Sequence, residues 1–378
     1  MSSFKILQLK KYRLAPTLEQ YSVPQLLRFS MASLFDPVQL GELQLANRIV
    51  MSPLTRCRAA GRVPNDLMAE YYRQRASVGL ILTEATSVDP LGVGYPNTPG
   101  IWSQAQVQGW KAITQAVHAA GGKIILQLWH VGRISDPVYL DGQLPVAPSA
   151  IKPAGHVSQV RPLKEYVQPR ALELNEIPNI IAAYRRGAEN AQLAGFDGVE
   201  IHGANGYLLD QFLQSKTNQR TDAYGGSIEN RARLLLEVTD AVIGVWGAGR
   251  VGMHLAPRRD SNDMGDDTPL ETFTYVGSEL GKRGIAFIMT REHLNTDSLT
   301  PAIKGAFGGP VIANEGFNFD TAARLLSEDR ADAVGFGKLI IANPDLVQRF
   351  KQHAPLNAWD SNTFYGLEAN GYTDYPTL

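Results

Sequence analysis

Phe196-Asp-Gly-Val-Glu-Ile-His-Gly-Ala-Asn-Gly-Tyr207 is a short apolar run that breaks into a polar turn, and its outline recurs along the chain. In an extended segment successive side chains point to opposite faces, so Val199 and Ile201 face one way and Glu200 and His202 the other. An ionisable pair on the inner face of a strand is costly unless it is paired or used. His202, Asn205 and Tyr207 fall at the strand end and on the turn that leaves it, where a rigid sheet can aim side chains at a bound molecule. The same residues also read as a core histidine followed by an Asn-Gly turn.

Working outward, similar runs occupy residues 48–54, 80–85, 123–129, 250–256, 285–290, 310–314 and 332–338, which with 196–202 makes eight. They are short and nearly continuous in Val, Ile, Leu and Ala, as parallel strands covered by helices are. Helical patterns separate them. Ser103 with Gln106 forms a capping box, and Val107, Trp110, Ile113 and Val117 follow at helical spacing until Gly121. Ser227 opens another helix with Ile228, Leu235, Val238 and Val242 on one face and Gly247 at its end. Eight alternations predict an α/β fold of the closed (β/α)₈ TIM-barrel type, in a single domain with an N-terminal hairpin near 38–45. Two excursions, 134–169 and 359–378, are expected to extend the loops of the C-terminal face and to wall a pocket there.

Composition narrows the function classes. A chain of 378 residues, 44% hydrophobic with a formal net charge of -1, can bury a large core and gives no electrostatic reason to expect nucleic acid or an anionic membrane as partner. No window approaches a membrane-spanning length of apolar residues. A lone cysteine, Cys57, excludes an intrachain disulfide and a cysteine-ligated metal cluster, and favours a reducing, cytoplasmic location. Residues 1–33 begin with a basic stretch, Lys5, Lys10, Lys11, Arg13 and Arg28 against Glu19, and are expected to be a poorly ordered extension before a barrel at 34–378.

Barrel chemistry sits at the C-terminal ends of the strands. There the chain places Thr55, Ala85, Gln127, Trp129, His202 and His254, a set of small, amide, hydroxyl and imidazole groups suited to a flat heteroaromatic with polar edges. After the seventh and eighth strands come Asn314, Glu315, Gly316 and Phe317, then Gly335, Phe336, Gly337 and Lys338. Glycines there let backbone N–H groups approach an anion, and Lys338 adds a charge, at the usual phosphate position of this fold. No Gly-x-Gly-x-x-Gly opens an early helix, so a nicotinamide would have to visit the barrel mouth. The expected ligand is a phosphate-bearing flavin.

Here a resemblance becomes specific. The chain resembles the Old Yellow Enzyme family, the FMN-dependent ene-reductases, over nearly all of residues 34–378. The matching stretches are Asn47-Arg-Ile-Val-Met-Ser-Pro-Leu-Thr-Arg56, Glu70-Tyr-Tyr-Arg-Gln-Arg-Ala76, Gln127-Leu-Trp-His-Val-Gly-Arg133, His202-Gly-Ala-Asn-Gly-Tyr-Leu-Leu-Asp-Gln-Phe-Leu213, Asn218-Gln-Arg-Thr-Asp-Ala-Tyr-Gly-Gly-Ser227, Phe364-Tyr-Gly and Gly371-Tyr-Thr-Asp-Tyr-Pro376. The resemblance implies FMN, with NADPH or NADH as electron donor, and an electron-poor alkene as substrate, in a monomer or homodimer. Pro53, Leu54, Thr55, Ala85, Gln127 and His254 would line the isoalloxazine, and the two segments after the last strands would hold the phosphate. His202 and Asn205 would donate hydrogen bonds to the substrate carbonyl, and Tyr207 would be the proton donor. Trp129, Tyr95 and Tyr365 would shape the substrate pocket.

Two positions depart from the family pattern. His254 stands where the family usually has an arginine near the flavin, which predicts a more pH-dependent reduction unless Arg258 or Arg259 reaches back. Lys338 stands where many members have arginine, which predicts FMN retention that weakens in high salt. Other readings stay open at this point. The same flavin site would serve a nitroester or nitroaromatic, and a flavin-binding barrel without an alkene activity fits the phosphate segments alone. A metal-dependent hydrolase or lyase would use His130, Glu200, His202 and His254, although alternation turns His130 away from the face of Gln127 and Trp129, and no metal is expected.

Overall fold

The computed structural model describes residues 32–378 apart from 259, 260 and 294. The basic stretch of the extension and Arg259 therefore lie outside the described residues. Eight parallel strands close into a barrel: β1 (Ile49–Met51), β2 (Leu80–Leu82), β3 (Ile124–Trp129), β4 (Val199–Gly203), β5 (Val251–Leu255), β6 (Phe287–Arg291), β7 (Val311–Asn314) and β8 (Ala333–Phe336). Each pairs with its sequence neighbours, and β8 returns to β1, so no edge is left open. Each run expected from the sequence holds one strand, usually a residue or more shorter at its ends. The exceptions at the far end are β4, which continues to Gly203, and β6, which continues to Arg291.

Helices cover the outside: α1 (Asp66–Gln74), α2 (Gln104–Ala119), α3 (Ile177–Leu193), α4 (Ile228–Trp246), α5 (Pro269–Arg283), α6 (Thr300–Phe307), α7 (Phe319–Ser327) and α8 (Leu346–Gln352). Their boundaries follow local chemistry. The Ser103 side chain accepts from the Gln106 N–H while the Gln106 side chain reaches back, and Val107, Trp110, Ile113 and Val117 are buried beneath that cap. Ser227 caps α4, and Gly247 ends it at a positive φ of 73°.

Period-two alternation divides the strands into two layers. Val199, Ile201, Met253, Leu255, Ile288 and Val311 pack outward against the helices. Val50, Leu80, Leu82, Ile125, Phe287, Met289, Ile312 and Ala333 fill the axis together with Leu40, Leu43 and Leu45 of the N-terminal hairpin. The hairpin plugs the N-terminal end, where the Glu42 N–H donates to the Gly249 carbonyl at 2.7 Å. Gly252 is required inside: a Cβ there would lie 2.2 Å from the Phe287 ring that occupies the axis. The inward positions nearer the opposite mouth change to Gln127, Glu200, His202, His254 and Asn314, so the barrel is apolar below and polar at its rim.

The two excursions behave differently from one another. The 134–169 segment does not itself wall the pocket; Val157 and Tyr166 pack behind Trp129, Tyr95 and Tyr207 and so brace them. The reason is that its apolar residues find a contiguous aromatic surface to cover. The C-terminal tail does reach the cavity, through Trp359, Phe364 and Tyr365. It is fastened by buried arginines. Arg56 donates to the Phe364 carbonyl at 3.0 Å and the Gly371 carbonyl at 2.7 Å, and Arg58 to the Thr363 carbonyl at 2.9 Å.

Candidate active site

A cavity of about 810 Å³ opens at the C-terminal mouth of the barrel, within the range of ordinary cofactor and substrate sites. Every residue that the flavin reading singled out for cofactor, substrate or catalysis lines it. Closure explains this convergence, since the C-terminal ends of eight tilted strands meet on one rim.

One end is built from the ends of β7 and β8. Gly316 has φ 80°, and a Cβ on Gly335 would approach Ser52 Oγ to 2.7 Å, so side chains are kept out of the cradle. Glu315 adopts φ 122°, a conformation other residues than glycine rarely hold, and its carboxylate lies 3.4 Å from Arg291 Nε. Lys338 supplies a cation, with its ammonium 5.8 Å from the centre of the Trp359 ring. Glycine backbone and a lysine fit a phosphate monoester.

In the middle, Gln127 Nε2 donates to Glu200 Oε2 at 2.7 Å and lies 3.1 Å from His254 Nδ1. Burial pushes the Glu200 carboxyl up to about 8, against the hydrogen bond from Gln127. Burial also pushes His254 well below the usual imidazole range, helped by His202 and by the Arg291 charge. His254 is therefore a neutral group near pH 7. Its Nε2 and Glu200 Oε1 are buried without a hydrogen-bond partner among the described residues, an arrangement that suits a polar ligand edge. Of the two arginines expected to rescue the charge, Arg258 turns away to pair with Asp297 and does not line the cavity.

The third region holds the donors. His202 Nδ1 accepts from the Ala204 N–H at 3.3 Å, which leaves the proton of the neutral ring on Nε2. Burial, with the Arg291 charge second, pushes this imidazole down to about 3 and keeps it neutral. Asn205 Oδ1 accepts from Arg291 Nη1 at 2.9 Å, so the Asn205 amide presents Nδ2, 3.5 Å from His202 Nε2. Both nitrogens carry hydrogen and neither accepts from the other. Both residues line the cavity, so they form a pair of donors available to a ligand there. Asn205 holds φ 60°, a left-handed conformation that asparagine tolerates, and the turn it makes brings Tyr207 alongside. The Tyr207 hydroxyl is 2.8 Å from that of Tyr95, and burial pushes the phenol up to about 12. Trp129 stacks on Tyr95 with ring centres 5.5 Å apart and presents its face or edge to Tyr207 at 5.0 Å, 84° between planes.

Arg291 was missed by sequence reasoning, although a signal was there. Phe287 and Met289 point inward, and one more step of two along β6 brings Arg291 to the rim. His130 does not join the other histidines: it lies outside the cavity lining and its Nδ1 accepts from the Gly132 N–H at 3.1 Å. Among the described residues no group of three or more His, Cys, Asp or Glu is placed to hold a metal, which leaves the hydrolase reading without its ligand set. Nor is any helix of the described residues long and apolar enough to cross a membrane.

Comparison with known proteins bears on the family and the fold. The model of the NADH:flavin oxidoreductase / NADH oxidase family matches residues 33–357. The chain is 43% identical to 12-oxophytodienoate reductase 1 of Oryza sativa subsp. japonica over 362 residues, covering 91% of this chain and 93% of the relative. It superposes on morphinone reductase in complex with tetrahydroNAD with a TM-score of 0.89 at 48% identity, over 92% of this chain and 98% of that one. The Old Yellow Enzyme homologue from Zymomonas mobilis matches with a TM-score of 0.89 at 46% identity, over 92% and 100%.

Proposed function

Since the chain belongs to the NADH:flavin oxidoreductase / NADH oxidase family, the Old Yellow Enzyme family of the motifs above, we propose that this NAD(P)H-dependent FMN oxidoreductase reduces the carbon–carbon double bond of α,β-unsaturated carbonyl compounds such as enones, enals and maleimides. Pro53, Leu54, Thr55, Ala85, Gln127 and His254 would hold the ring system of FMN, and Asn314, Glu315, Gly316, Phe317, Gly335, Phe336, Gly337 and Lys338 its phosphate arm. FMN bound there supplies hydride-transfer chemistry, with the nicotinamide cofactor as the source of electrons.

The observation that carries the reading is the donor pair of His202 Nε2 and Asn205 Nδ2, 3.5 Å apart, with the Tyr207 ring centred 5.1 Å from that of His202. Hydride arriving at the β-carbon of an enone drives negative charge onto the carbonyl oxygen. Donors already fixed at that oxygen stabilise the enolate without reorganising, and losing one such donor costs roughly 3 to 4 kcal/mol. The α-carbon must then gain a proton. Tyr207, held protonated far above neutral pH, delivers it. Trp129, Tyr95 and Tyr365 would bound the space left for the alkene.

Anaerobic visible spectroscopy of the purified protein tests this directly. Flavin bands near roughly 370 and 450 nm should bleach with NADPH or NADH and return when cyclohexenone is added. Bleaching by the nicotinamide with no return on any enone, enal or maleimide would overturn the assigned substrate class.

A further inference from the structure

We propose that Arg291 is a positioning residue that keeps the oxygen-binding pair open by fixing which way the Asn205 amide faces. The inference rests on the reading of His202 and Asn205 as donors to the substrate oxygen. His202 and Asn205 have an obvious way to satisfy each other. With its amide turned over, Asn205 would offer Oδ1 to the His202 Nε2–H across the same 3.5 Å, and one neutral hydrogen bond would form where two donors now point outward. The site would then be closed to an incoming oxygen. Rotation of the amide group decides the outcome, because the backbone around it is already tied: the Asn205 carbonyl accepts from Asn262 Nδ2 at 2.8 Å and the Gly206 N–H donates to Asp210 Oδ2 at 2.8 Å.

Arg291 prevents the turn. Its Nη1 donates to Asn205 Oδ1 at 2.9 Å, a charge-assisted bond that outweighs the neutral one available in the flipped state. In that state the amide nitrogen would instead face a guanidinium, which has no acceptor to offer it. The guanidinium is itself held on its other side, where Nε lies 3.4 Å from Glu315 Oε2. It stands at the end of β6, one strand from His254, and it lines the cavity. A charge placed so close could also act on an anionic ligand directly, and the experiment must separate the two roles.

The measurement is calorimetric titration of the FMN-loaded enzyme with 4-hydroxybenzaldehyde, whose phenolic oxygen probes the donor pair, in a double-mutant cycle between Arg291 and Asn205. Arg291→Met is expected to weaken binding roughly tenfold to a hundredfold in the parent, the range of a lost charged hydrogen bond. In an Asn205→Ala background the same substitution should change the affinity by less than about twofold, because the group it acts through is gone. Arg291→Lys, which keeps a donor for Oδ1, should recover much of the loss, and Arg291→Ala carries the same cycle if the methionine variant does not fold. Equal losses with and without Asn205 would overturn the proposal in favour of direct charge attraction, and no loss in the parent would overturn it outright. Unchanged affinity in both His202→Ala and Asn205→Ala would instead remove the donor reading itself, and the proposal with it.

Discussion

Tyr207, His202, His254 and Glu200 titrate away from their ordinary values in one sense, toward their neutral forms, because burial at the barrel rim penalises charge. For Tyr207 this means a proton ready for donation across the whole neutral and mildly alkaline range. Tyr207→Phe should slow alkene reduction by about 10²-fold or more while leaving nicotinamide oxidation by the flavin nearly unchanged, measured as separate half-reactions by stopped flow. Equal loss in both would remove its role. Glu200 makes a stability prediction. Its folded value of about 8 lies above the ordinary 4.5, so the folded state binds more protons than the unfolded one between those values. The stability it contributes is fully present below pH 4.5 and is lost as pH rises to about 8. Glu200→Gln removes that slope, so its gain in Tm over the parent should grow from about pH 5 to pH 8 and then level off. A gain independent of pH would contradict the assignment. His202, depressed to about 3 from 6.5, acts in the opposite sense: the stability of its neutral form is present above pH 6.5 and is lost as pH falls.

Helix α1 and the C-terminal tail form a latch that local sequence does not announce. Arg75, at the end of α1, is fully buried and donates to the carbonyls of Ile340 at 3.0 Å, Ile341 at 2.6 Å and Tyr372 at 3.3 Å. Its ring partner Tyr71 stacks on Tyr372 with centres 4.0 Å apart. Arg75→Met would leave those carbonyls unsatisfied, and at about 1 to 3 kcal/mol for each such group the loss should reach about 3 kcal/mol or more by urea unfolding. Limited proteolysis should then cut the tail first, since the bond to the Tyr372 carbonyl and the Tyr71 stack on Tyr372 fasten it to α1. By contrast Ser103→Ala removes a cap readable in four residues of sequence and should cost only about 1 kcal/mol. The difference in legibility is one of range. The cap joins residues three positions apart, whereas Arg75 reaches a carbonyl 265 positions away.

At the scale of the whole molecule the barrel has a plugged end and a working end. Leu40, Leu43 and Leu45 close the first, while the cavity occupies the second. Leu40→Ala should therefore cost about 2 to 5 kcal/mol of stability, seen as a lowered Tm of the protein stripped of FMN, with FMN affinity unchanged. A matching loss of FMN affinity would mean that the two ends are coupled. The amino-acid sequence by itself determined the architecture and much of the cavity lining, the strand ends through short-range pattern and Tyr95 and Tyr365 through the family resemblance, while Arg291 was not among them. Alternation in β4 put Glu200 and His202 inside, eight such runs demanded a closed sheet, and closure gathered the strand ends on one rim. Tertiary structure alone decided how those residues meet. Asn205 and Arg291 are 86 positions apart, and Tyr95 and Tyr207 are 112 apart. Whether such side chains touch depends on register and rotamer across different strands, which no local period encodes. The same limit explains why sequence proximity points to Arg258 or Arg259 as a charge near His254, whereas Arg258 pairs with Asp297 and Arg291, at the end of the neighbouring strand, lines the cavity.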